Sequence, residues 1–95
     1  MYQITEKDPF IIKGKKGKEY KIPIIDGLDI DAFEILVRYN ETDNAVEKVK
    51  VCKEFFLHIA PELENEKIGD VEYFKIFEEY NKAKTEEQEK ALGES

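Results

Sequence analysis

The densest group of side chains capable of chemistry is K-G-K-K-G-K-E-Y-K-I-P, residues 13–23, which places Lys13, Lys15, Lys16, Lys18 and Lys21 around Gly14 and Gly17. Glycines that let the backbone approach a ligand, next to lysines, are components of a phosphate site. A P-loop requires more: Gly-Lys followed by Ser or Thr to hold magnesium, then a helix whose first amides face the phosphates. Here Gly17-Lys18 leads into Glu19 and a strand-forming segment, so both the hydroxyl and the helix are missing. That excludes a nucleotide cradle. The same residues also suit a solvated turn, with a glycine supplying positive φ and lysines protecting a strand edge. A basic tip could otherwise meet a nucleic-acid backbone or an acidic protein. The net charge of −7 disfavours a general nucleic-acid binder.

The remaining reactive types are few. His58 is the only imidazole, with no second His or Cys at ligand spacing, and it lies four residues after Glu54, where an i,i+4 hydrogen bond is expected. Cys52, the only cysteine, projects from an apolar helical arc, where a thiol behaves as a small hydrophobe and not a nucleophile. The acidic P-E-L-E-N-E stretch, residues 61–66, lacks the geometry of a calcium loop and reads as solvated charge. We therefore expect no enzyme, with no catalytic, cofactor-binding or metal-ligating residue and no small-molecule substrate.

Ninety-five residues suit one domain, 1–95, and the 41% apolar content, including 12% aromatic residues, is that of a folded chain. The lone cysteine fits a reducing compartment, the N-terminal stretch lacks the pattern of a secretory signal, and no apolar run approaches the length of a membrane span. A cytoplasmic protein with no membrane contact is expected.

The elements that position these groups follow from hydrophobic period. P-F-I-I-K and E-Y-K-I-P-I predict a hairpin over about residues 9–24, with Tyr20, Ile22 and Ile24 on one face and Pro23 marking an edge or strand end. A two-stranded hairpin is marginal alone and needs helices over its apolar face. Asp31 with Glu34 forms a capping-box pattern, with Ile30 and Ile35 at staple spacing, predicting a helix over about 32–40. Asn44 with Glu47 repeats the pattern and opens a helix over about 45–60, closed by Pro61. Its apolar side gathers Val49, Cys52, Phe55, Phe56 and Ile59, widened by Val46, Val51, Leu57 and Ala60, which predicts a central helix.

A charged connector, 61–70, leads to a third helix over about 71–84 with Asp70 as its cap. T-E-E-Q, 85–88, predicts a short last helix over about 86–92 ending at Gly93; one continuous helix from 70 to 92 is the alternative. The fold class is thus α+β, mainly α: an N-terminal β-hairpin followed by three to four helices. In the third helix Tyr73, Phe74, Ile76, Phe77 and Tyr80 span a wider arc than a core-facing helix requires. They are core rings or, alternatively, candidate partner-binding residues, because aromatics anchor helix-mediated interfaces.

The order of these elements, with Gly17, Lys18, Tyr20, Ile22 and Pro23 as a G-K-x-Y-x-I-P segment and Leu92, Gly93, Glu94 and Ser95 at the end, resembles the tail assembly chaperones of long-tailed bacteriophages. The resemblance spans most of the chain through short motifs. It implies a non-catalytic protein of the host bacterial cytoplasm that binds and solubilises the tape measure protein during tail assembly, is absent from the mature virion, and could form a homo-oligomer. The family often makes a longer form by programmed frameshifting. Two other classes stand beside this one. The first is a small nucleic-acid-binding regulator using the Lys13–Lys21 tip. The second is a virion structural protein, such as a connector or tail terminator.

Overall fold

The structure is a computed structural model that describes residue 2 and residues 8–93, with side chains of the C-terminal helix described as far as Ala83. Two strands, β1 (Phe10–Lys13) and β2 (Glu19–Ile22), form an antiparallel hairpin in the register Phe10 to Ile22 and Ile12 to Tyr20. Alternation puts Ile12, Tyr20 and Ile22 inside, while Ile11, Lys13, Glu19 and Lys21 face out. A 3-10 turn, Ile25–Gly27, redirects the chain into four helical segments: α1 (Ile30–Glu41), α2 (Ala45–Ile59), a 3-10 helix (Pro61–Glu66) and α3 (Asp70–Gly93). The molecule is a mainly helical α+β fold, as the hydrophobic pattern predicts.

α2 is the central element, packed on α1 at one side and α3 at the other. Cys52, Phe55 and Phe56 are fully enclosed, in line with the predicted helical phase. Phe55 meets Phe77 edge-on at 5.7 Å, and Phe10 of the hairpin meets Tyr80 edge-on at 5.6 Å. The ring cluster thus joins α2, α3 and the hairpin. The Tyr80 hydroxyl donates to the carbonyl of Pro23 at 2.9 Å, which fixes α3 to the hairpin's exit. Burial pushes this hydroxyl up to about 12, so it stays protonated as a donor.

Several boundaries differ from the sequence expectation. α1 begins earlier: Asp29, not Asp31, is the N-cap, accepting from the Ala32 amide at 2.8 Å. Ile30 is therefore helical and 70% exposed, so no staple to Ile35 forms. Asn44 caps α2 as expected, accepting from the Glu47 amide at 3.0 Å. Val46, placed by its period on the apolar side, is instead 62% exposed at the first turn. Within the charged connector residues 61–66 form a 3-10 helix, and residues 86–92 continue α3 without a break, the stated alternative to a separate last helix.

Candidate functional site

The lysine-rich loop is held by its own chain. Among the described residues its contacts run to the 3-10 helix Pro61–Glu66. The Glu66 carboxylate accepts from the Lys15 amide at 2.9 Å and from the Tyr20 hydroxyl at 2.7 Å. Lys18 pairs with Glu62 and lies over the Tyr20 ring. Hydrogen bonding from the Lys15 amide first, then from Tyr20, holds the Glu66 carboxyl below its usual range. Gly14 leaves room for it, because a Cβ there would stand 2.5 Å from a Glu66 oxygen and the carboxylate would have to shift. Gly17, at φ 85°, supplies the left-handed step of the loop. The glycines and lysines thus build a turn that receives an internal carboxylate where a phosphate cradle would have taken an external anion.

Docking the loop this way leaves a groove beside it. Residues 10–15 form one wall, and the other comes from the 3-10 helix and α3. Phe10, Ile12, Leu63, Ile68 and Ile76 supply apolar surface. Among the described residues β1 is paired with β2 alone. Lys13 and Lys15 stand on the hairpin side of the groove, and Glu72 and Glu79 stand on the α3 side. Its volume is about 260 Å³.

The five candidate residues of the third helix do not act together. Tyr73, Phe77 and Tyr80 are buried in the core, the first of the two roles their spacing allows. Ile76 is half-buried and lines the groove. Phe74, half-buried, is two residues away and so about 200° round the helix, outside the groove. The surplus arc arises because α3 is covered by α2 and by the hairpin at once. Periodicity gives no access to the groove itself, since its walls lie some fifty residues apart in the chain. An exposed stripe on α1, Ile30, Phe33 and Val37, also escapes the sequence pattern, which places Ile30 in a staple.

His58 meets Asp29, not Glu54: its Nε2 lies 3.2 Å from the Asp29 carboxylate, while Glu54 accepts from Arg38 at 2.8 Å. The Ala32 amide, then His58, holds the Asp29 carboxyl below its usual range. The imidazole therefore braces the start of α1. Burial pushes the Cys52 thiol up to about 12, so it is an unreactive core group. Among the described residues no group of three or more His, Cys, Asp or Glu is placed to hold a metal ion, and no helix is long and apolar enough to cross a membrane. Comparison of the chain with protein-family models, curated proteins and solved structures gave no match.

Proposed function

We propose that this chain is a non-catalytic tail assembly chaperone of a long-tailed bacteriophage, acting in the host cytoplasm and absent from the finished particle. Its partner would be the tape measure protein, held in solution by seating apolar segments in the groove between the hairpin and α3. The groove is the observation that carries this reading. It brings apolar side chains together with charged ones of both signs, as a protein-binding cleft should. The resemblance carried by Gly17, Lys18, Tyr20, Ile22, Pro23 and the Leu92–Ser95 ending supports the same partner. A long, apolar helical protein aggregates unless its surface is covered, and a small protein of net charge −7 supplies both cover and solubility. The engagement of the hairpin tip by Glu62 and Glu66 weighs against a nucleic-acid role for the lysines.

The test is co-expression with the tape measure protein this reading implies, a long helical protein that would be encoded downstream. Wild type should keep that protein in the soluble fraction. Ile11→Glu, at an exposed position of β1, and Ile76→Glu should reduce the soluble yield while helical content by circular dichroism is unchanged. A downstream protein that precipitates equally with and without the wild-type chain would contradict the proposal. Recovery of the chain in purified particles would instead assign it to the virion.

A further inference from the structure

We infer that the groove takes an amphipathic helix in one orientation, with basic side chains along its flank facing α3. This rests on the chaperone reading and specifies the kind of segment recognised. The α3 wall is built from Glu72, Ile76 and Glu79, spaced i, i+4 and i+7, so they share one face over two turns, about 10 Å. The two carboxylates flank the isoleucine as a charged–apolar–charged row. Both glutamates are exposed, and neither makes an ion pair among the described residues. The opposite side carries Lys13 and Lys15, and the Glu66 carboxylate beside them is already taken up by the Lys15 amide and the Tyr20 hydroxyl. A segment lying between these walls meets acid on one side and base on the other, so charge selects its direction as well as its composition.

The geometry favours a helix over an added strand. β1 has only four residues, and the Lys15 amide at its loop end is already donated to Glu66. A ladder along this edge would be short and closed at one end. The α3 wall presents a helical ridge, against which another helix packs ridge into groove at about 8–10 Å. The occupant therefore has apolar residues at i, i+3 or i+4 and i+7, and Lys or Arg about two turns apart on one flank.

Fluorescence anisotropy with three labelled synthetic peptides of about 20 residues tests this. One carries a leucine stripe with lysines along one flank, the second replaces those lysines with glutamines, and the third is the lysine peptide broken by prolines. At low ionic strength the chain should bind the lysine peptide about threefold to tenfold more tightly than the glutamine peptide. Glu72→Lys with Glu79→Lys, both at exposed positions, should abolish that preference, and the proline peptide should bind weakly. Equal binding of the first two peptides, or a preference that survives the charge reversal, would overturn the inference. Tight binding of the proline peptide would assign the groove to an extended strand. Peptide binding that falls as the chain self-associates would assign it to a second copy. Either result also overturns the inference. The functional reading is judged separately. If wild type and the charge-reversed variant solubilise the downstream protein equally, the groove assignment fails and the chaperone reading stands. A charge-dependent peptide preference without solubilisation would keep the groove assignment and remove the chaperone reading.

Discussion

Glu66 organises the hairpin tip through groups distant in sequence. Its oxygens receive the Lys15 amide and the Tyr20 hydroxyl, and its carboxylate occupies the space that a side chain at Gly14 would fill. Gly14→Ala should therefore act by displacing Glu66. We expect Gly14→Ala and Glu66→Ala each to lower Tm by a few degrees and the double variant to lose little more, so the cycle is strongly non-additive. Additive losses in thermal melts would show that the glycine acts on the turn alone. The carboxyl is held below its unfolded value, so the stability it contributes is fully present above about pH 4.3 and is lost as pH falls through the lower folded value. Glu66→Gln should be less stable than wild type near neutrality, and the gap between the two should close on acidification below about pH 4. A gap that persists unchanged at about pH 2–3 would rule out the charge as its origin. None of this is visible in the opening lysines: the sequence shows a turn with φ-permissive glycines, but the acids that receive it lie more than forty residues away. Sequence separation also hides the Asp29–His58 contact, 29 residues apart, where the nearer Glu54 is the natural expectation.

At the scale of elements, local signals are legible where one helix decides the matter. The Asn44 cap and the phase of Cys52, Phe55 and Phe56 follow from spacing alone, because α2 packs on both α1 and α3 and the centre of its apolar arc is buried. Phe56→Ala should cost about 3–5 kcal/mol, enough to unfold much of a domain this small, whereas Asn44→Ala should cost about 1 kcal/mol by urea denaturation. Similar losses from both would contradict the central place of α2. Spacing fails where a second element decides. Asp31 fits a capping box as well as Asp29 fits a simple cap, and the imidazole of α2 stands beside Asp29. Surplus aromatics on α3 read equally as interface or core until the hairpin is seen to cover them. Tyr80→Phe should cost about 0.5–1.5 kcal/mol by removing the bond to the Pro23 carbonyl. Tyr73→Glu or Tyr80→Glu should abolish folding, because each would bury a carboxylate.

Among the described residues, apolar side chains reach the surface in the hairpin–α3 groove and along the α1 stripe of Ile30, Phe33 and Val37. The groove has both signs of charge among its lining residues. The composition and element order are readable from the sequence, but a cleft between the first strand and the last helix exists only once the chain has closed. With a net charge of −7, copies repel one another. Any self-association should strengthen as salt screens that charge, which light scattering across a salt series would show as rising mass. The central claim is that this groove holds an apolar helical partner. Hydrogen exchange on the chain, alone and in complex with the co-expressed downstream protein, tests it most directly. We predict new protection concentrated in residues 10–15 and 72–79, with the amides of α1 unchanged. Protection confined to α1, with the hairpin and α3 exchanging as in the free chain, would contradict the account.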